Sequence, residues 1–301
     1  MSIAIEIGGS KLQIATGDPK TGTIHELYRY QVDKAQGASG ILEQIEQTLW
    51  DLHRVPKAIG IGFGGPLNHE TGTIATSHQI GGWSDFELKK WVQERYDVPV
   101  VIDNDANAAA LGEALFGVGR THKRVFYITL GSGVGGGMVI NRALYHGTVP
   151  GEAEVGQLAL TKTGATLESL CSGWALDAKI RALLPELDEQ APLKQLVGNH
   201  TFGEARFLLP AIQQKDELAI RLLLEHADNL AWGLSHVAHL FHPDIIVLGG
   251  GVSLIGEPLR AAVQQALPKY LVKSFQPGPE IALAELREEV VLVGALCMLN
   301  F

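Results

Sequence analysis

A strand-like apolar run, a glycine turn and a second apolar run occur twice in this chain, and few folds accommodate that repetition. The first copy is Ile3–Ile7, Gly8-Gly9-Ser10, then Leu12–Ala15. The second is Val125–Leu130, the glycine run Gly131–Gly137, then Met138–Ile140. Each copy reads as a β-hairpin, because two apolar runs flanking a short glycine turn fold back on one another. Between them, Ile41, Ile45, Leu49 and Leu52 mark one face of a helix, and Ala58–Phe63 is a buried strand stopped by Gly64-Gly65-Pro66. A helix over Asp85–Arg95, a strand over Val98–Ile102 and a helix over Ala106–Leu115 follow. After the second hairpin, Leu223, Ala227, Leu230, Leu234, Val237 and Phe241 alternate spacings of four and three, the buried stripe of a long helix. That helix leads into a strand, Ile245–Leu248, and a third glycine cluster, Gly249-Gly250-Gly251. The reading is two α/β domains built on one plan, residues 1–118 and 119–288, hinged near 117–121. A closing helix within 289–301 packs back on the first domain.

A length of 301 residues supports two domains, and an apolar fraction of 46% supplies two cores. The formal charge is 24 − 33 = −9, with no basic stripe, so the chain lacks the face that nucleic-acid phosphates require. No apolar stretch reaches the roughly 18 residues of a membrane span. The N-terminus runs into a strand without a basic and apolar leader. The two cysteines, Cys171 and Cys297, form no disulfide framework or zinc motif. A cytoplasmic protein with neither nucleic-acid nor membrane partners is expected.

Two stretches fit G-x-G-x-x-G, one from Gly60 to Gly65 and one from Gly131 to Gly136. A dinucleotide fingerprint needs a helix immediately afterwards, so that the pyrophosphate meets its N-terminus. Pro66 stops the first, and the second continues into Met138-Val139-Ile140, which is β-like. No Gly-Lys pair exists anywhere, so a Walker loop is absent. Glycine hairpins have another use: a turn without side chains lets backbone N–H groups surround phosphate oxygens. One such turn alone reads as an ordinary hairpin; two in repeated halves, with a third cluster, read as a nucleotide site.

The run Ile5-Glu6-Ile7-Gly8-Gly9-Ser10-Lys11 resembles the first phosphate loop of the ROK family of bacterial sugar kinases and repressors. Ile128 to Gly137 resembles its second phosphate loop, and Val247-Leu248-Gly249-Gly250-Gly251-Val252 its adenosine loop. Asp103-Asn104-Asp105-Ala106-Asn107, continuing to Glu113, is similar to its sugar and catalytic motif. The resemblance spans nearly the whole chain in the family's order. It implies an actin-like/hexokinase-like fold of two ribonuclease-H-like domains flanking a nucleotide cleft, and a homodimer. It also implies a glucokinase-like enzyme that transfers the γ-phosphoryl group of MgATP to a hydroxyl of a hexose or N-acetylhexosamine. In that scheme Asp105 is the general base. Asn104, Glu154, Gln157, Glu168 and Gly65 are the sugar-contacting positions. Gly8, Gly9, Ser10, Lys11, Gly131, Ser132 and Gly133 hold phosphate, Gly249 and Gly250 lie against the adenosine, and Glu6 holds Mg²⁺ through water. The chemistry agrees, since phosphoryl transfer needs positioning and charge neutralisation with a carboxylate at the attacking hydroxyl. One residue of Asp103-Asn104-Asp105 would suffice to cap a helix; three exceed that need.

The sequence departs from the family pattern at three places. Glu6 stands where Asp is usual. The usual Glu-x-Gly-His is Glu154-Val155-Gly156-Gln157, and the cysteine-rich loop after it is replaced by Thr161–Ser169. Zinc wants thiolates and imidazole, so no structural zinc is expected. Gln157 replaces a sugar-contacting histidine, and Gln79 replaces an asparagine before Gly81-Gly82-Trp83, so the identity of the sugar stays open. His236, His239 and His242 read as helix-end histidines rather than a metal site. A repressor would carry a DNA-binding domain ahead of the first loop, and Glu6 is the sixth residue. The remaining alternative is a non-catalytic protein that binds sugar or nucleotide.

Overall fold

The computed structural model describes residues 1–77, 79–149, 151 and 153–300. It divides into two compact units. One comprises Met1–Lys123, Gly137–Ala153 and the chain from Leu286; the other comprises Arg124–Gly136 and Glu154–Glu285.

In the first unit, β1 (Ser2–Ile7) and β2 (Lys11–Asp18) form the expected hairpin. A third strand, β3 (Thr23–Gln31), extends it; it is largely exposed and carries no apolar alternation that would announce it. Helix α1 (Gly37–Asp51) buries Ile41, Ile45 and Leu49, as their spacing requires. Strand β4 (Ile59–Phe63) is wholly buried and pairs in parallel with β1. Short strands β5 (Leu67–Asn68), β6 (Thr73–Ile74) and β7 (Phe86–Glu87) make a small antiparallel sheet. The helix expected over Asp85–Arg95 is therefore shorter. Asp85 sits at φ 55°, Phe86 and Glu87 pair with β6, and only Leu88–Tyr96 (α2) is helical. Strand β8 (Val100–Asn104) starts after Pro99 and runs two residues further than expected, directly into α3 (Asp105–Leu115). The sheet order is β3-β2-β1-β4-β8. Its three parallel strands end side by side, at Ile7, Phe63 and Asn104. Ligands of open α/β sheets sit at such carboxyl ends.

In the second sheet, β9 (Arg124–Leu130) leads to the glycine turn, and β10 (Val134–Ile140) leaves it, its residues from Gly137 onward and the short strand that follows counting with the first unit. The strand was expected only from Met138. Gly135, Gly136 and Gly137 are instead strand residues, and a side chain at Gly137 would collide with the Ala106 carbonyl. After β11 (Ala143–Leu144) come α4 (Leu167–Cys171) and α5 (Gly173–Leu183), then α6 (Pro192–Val197) and α7 (Leu208–Gln213). The long helix α8 (Glu217–Phe241) buries Leu223, Ala227, Leu230, Leu234 and Val237. Then follow β12 (Ile245–Gly249), α9 (Glu257–Ala266) and β13 (Glu280–Leu283). The order β11-β10-β9-β12-β13 repeats the plan of the first sheet: a hairpin, then parallel strands β9, β12 and β13.

The closing helix α10 (Val290–Cys297) is buried at every position and packs on α3, β1 and β4 within the first unit. The last residue of the stretch proposed for it, Phe301, lies outside the described residues. Glycines allow this packing. A Cβ at Gly294 would lie 1.7 Å from the Ala108 carbonyl oxygen, and one at Gly60 would lie 2.0 Å from that of Ala295. Among the described residues no helix is long and apolar enough to cross a membrane.

Candidate active site

The carboxyl ends of β1, β4 and β8 gather several expected site residues in the first unit. Glu6 is the penultimate residue of β1 and only 5% exposed. Its Oε2 accepts from Gln13 Nε2 at 2.6 Å, and its Oε1 pairs with Lys11 Nζ at 3.0 Å. Gln13 is held in turn, accepting from Arg29 Nε at 2.9 Å and donating to the Glu288 carbonyl at 3.2 Å. Sequence reasoning missed Gln13, although it faces Glu6 across the hairpin register. Counting outward from the Gly8–Ser10 turn finds it. In that turn the Gly8 N–H donates to the Lys11 carbonyl at 3.0 Å. Gln79 lies over position 9, where a Cβ would stand 1.7 Å from Gln79 Oε1 and force that side chain to move.

Asp105 opens α3, and its Oδ1 accepts the Ala106 N–H at 2.8 Å. Its Oδ2 lies 3.2 Å from where a Cβ on Gly64 would stand, so glycine there keeps the carboxylate's flank clear. Burial and then the nearby Glu6 charge push the Asp105 carboxyl up to about 7, against the Ala106 N–H and Lys11, which favour the anion. Asn104 is the N-cap of α3, its Oδ1 accepting the Ala106 N–H at 2.8 Å. Its Nδ2 donates to the Gly65 carbonyl at 3.2 Å, so the amide ties the Gly64-Gly65 loop to the start of the helix. Asp103 is buried. One oxygen accepts from the Asn104 N–H (2.7 Å) and Asn107 Nδ2 (2.9 Å); the other lies 2.7 Å from His146 Nε2. His146, stacked on His69, carries no signal in the sequence that would have singled it out.

In the second unit, the Gly131 N–H donates to the Gly133 carbonyl at 3.0 Å, closing a turn that leaves Ser132 exposed. Glu168, on α4, braces this turn. Its Oε2 accepts the Val134 N–H at 2.9 Å, and a Cβ at Gly133 would fall 2.5 Å from the same oxygen. Gln157 Nε2 reaches Glu168 Oε1 at 3.5 Å. Glu154, three residues before Gln157, is exposed, and its carbonyl accepts the Gln157 N–H. Gly249 ends β12 and Gly250 follows it; a Cβ at Gly249 would strike Tyr127 Oη at 2.0 Å. Gly250 takes φ 78° against the Leu130 backbone. Packing alone thus demands glycine at both. The helix-end histidines are spent on contacts: His239 Nε2 accepts the Val272 N–H, and His242 stacks on Phe275. Among the described residues no three His, Cys, Asp or Glu side chains are grouped to hold a metal. Cys171 is buried beneath α8, and burial pushes its thiol up to about 12.

Comparison with known proteins decides the family. The ROK family model matches residues 2–300. The chain belongs to the ROK family. It is 27% identical to a glucokinase of Thermotoga maritima over 99% of this chain and 96% of that one. The crystal structure of a ROK family glucokinase from Streptomyces griseus in complex with glucose and AMPPNP superimposes with a TM-score of 0.86. It is 30% identical and covers 99% of this chain and 98% of that chain. A xylose repressor of Caldicellulosiruptor bescii is 23% identical over 98% of this chain and 77% of its own length. The fold is the two-domain actin-like/hexokinase-like fold of the ROK glucokinases. The family thus holds both kinases and repressors similar to this chain, with glucokinases prominent among them.

Proposed function

We propose that this ROK protein is an ATP-dependent sugar kinase, transferring the γ-phosphoryl group of MgATP to a hydroxyl of a hexose or N-acetylhexosamine. The observation that carries the reading is Asp105. It is a carboxylate at the carboxyl end of a parallel strand, held near pH 7 by burial and Glu6, in a ROK-family chain. A base poised near the working pH takes a hydroxyl proton as the oxygen attacks. In this reading Asp105 accepts that proton, and Asn104, Gly65, Glu154, Gln157 and Glu168 position the sugar. The turns Gly8–Lys11 and Gly131–Gly133, each closed by its first residue's N–H, offer their remaining main-chain groups and one ammonium to phosphate oxygens, and Gly249 and Gly250 lie along the adenosine. The base belongs to a domain of residues 1–118 completed by the C-terminal helix, and the second phosphate turn to a domain of residues 119–288.

Magnesium enters as part of the nucleotide substrate. Glu6 fits it only through water, because Gln13 and Lys11 already engage its two oxygens. Zinc does not fit the donor set: Gln157 offers no imidazole, and Cys171 is buried beneath α8. A cytoplasmic homodimer completes the reading, and sedimentation of the purified protein checks the dimer.

Asn104 gives the second reading its support. Its amide is already used on Ala106 and Gly65, as a purely structural cap would be. That reading is a protein that binds sugar or nucleotide without turnover, in keeping with its xylose-repressor relatives. Sugar-dependent ADP release, measured across hexoses, N-acetylhexosamines and ketoses, separates the two. Stimulation by at least one sugar is expected; binding of a sugar and of ATP with no ADP release supports the second reading instead.

A further inference from the structure

Three large apolar side chains stand out into solvent beside the glycine turns of the second unit: Trp174 is 58% exposed, Phe202 75% and Leu254 71%. They lie on separate segments that are fastened together. The Gly173 N–H donates to the Gly131 carbonyl at 2.7 Å, so the residue before Trp174 is pinned to the Gly131 turn. Asp177, one helical turn beyond Trp174, accepts the N–H groups of Gly203 (3.1 Å) and Ala205 (2.7 Å), fixing the loop that carries Phe202. A Cβ at Gly173 would lie 3.5 Å from Val252 Cγ2, and Val252 belongs to the 3₁₀ turn Gly251–Ile255 that carries Leu254.

The glycines here are of two kinds. Gly249 and Gly250 are jammed against Tyr127 and Leu130, whereas Gly131 and Gly251 have room for a side chain. Among the described residues nothing lies within 4 Å of a Cβ at Gly251, and only atoms at 4.0 Å face one at Gly131. Neither of these two takes a positive φ. Protein packing does not require them, so bare backbone is kept open beside an exposed indole. A flat ring with a polar edge suits that surface, its face on the indole and its edge on main-chain groups. An anionic tail fits the exposed main chain at Ser132, the Gly131 N–H being spent within the turn on the Gly133 carbonyl.

Building on the kinase reading, we infer that Trp174 is the platform for the base of the donor nucleotide. Trp174 then determines donor specificity, favouring a nucleoside triphosphate over an inorganic phosphate chain. Stacking of a base on an aromatic ring is tolerant of which base it is and accounts for roughly 5- to 150-fold in affinity.

The test measures binding without sugar, so its outcome is separate from that of turnover. AMPPNP and inorganic tripolyphosphate are titrated calorimetrically into the wild type, Trp174→Ala, Trp174→Phe and, as a control, Trp50→Ala, another exposed indole, on α1. Trp174→Ala is expected to weaken AMPPNP by about tenfold or more, with Trp174→Phe recovering most of the loss. Tripolyphosphate binding and the Trp50→Ala protein are expected to be unchanged. AMPPNP binding by Trp174→Ala within about twofold of wild type overturns the inference. So does an equal loss of tripolyphosphate, which would mean a damaged turn, or a wild type that binds no AMPPNP. Absence of sugar-dependent ADP release alongside the expected binding pattern would count against the kinase reading alone.

Discussion

Asp105 lies among groups that pull its proton in opposite directions. Burial and the Glu6 charge hold the proton on, while the Ala106 N–H and Lys11 favour the anion, and the balance falls at about 7. A base must be deprotonated to act, so kcat is expected to climb as pH rises through about 7 and to level off above it. The same shift bears on stability. The folded state holds this proton more tightly than the unfolded chain, so Asp105 favours the fold less as pH rises from 3.8 through about 7. Asp105→Asn is therefore expected to melt higher than wild type at pH 8, as thermal unfolding will show. His226 shows the opposite sign. Among the described residues neither ring nitrogen has a hydrogen-bond partner, and burial pushes the imidazole down to about 4. Its neutral form folds freely above pH 6.5, and stability is lost as pH falls from there through about 4. His226→Leu is expected to flatten the melting temperature across that window and to raise it, since buried polar atoms without partners cost about 1–3 kcal/mol.

Strands and helices answer to different parts of the sequence. The β1–β2 hairpin, β4, β9, α8 and the closing helix were legible because each is buried, and burial imposes apolar periodicity. β3 was not, because an exposed strand beside a hairpin is chosen by backbone pairing rather than by apolar side chains. The start of β10 was hidden by Gly135–Gly137, which are strand residues rather than a turn, with Gly137 lying close to the Ala106 carbonyl. In the candidate site, Asp103-Asn104-Asp105 stood out because local order carries it. Gln13 and His146 did not, since pairing and tertiary contact bring them in. Gly294 offers a test at this scale. A methyl there would press into the Ala108 carbonyl, backbone against backbone. Gly294→Ala is expected to cost about 1–3 kcal/mol or more by displacing α10 from α3. Chemical denaturation measures the loss; an unchanged midpoint would mean the helices part easily.

For the whole molecule, two sheets of one plan place glycine turns and acidic residues at the carboxyl ends of parallel strands, and a −9 charge leaves phosphate binding to local geometry. Family membership admits kinases and repressors alike, so the central claim is that Asp105 works as a catalytic base. Its most direct test compares wild type and Asp105→Asn on the best sugar of the panel, with kcat measured beside the dissociation constants of sugar and AMPPNP. A base lost without loss of binding is expected to lower kcat by about 10²–10⁴ while the dissociation constants stay nearly fixed. A variant that keeps near-normal kcat would contradict the account.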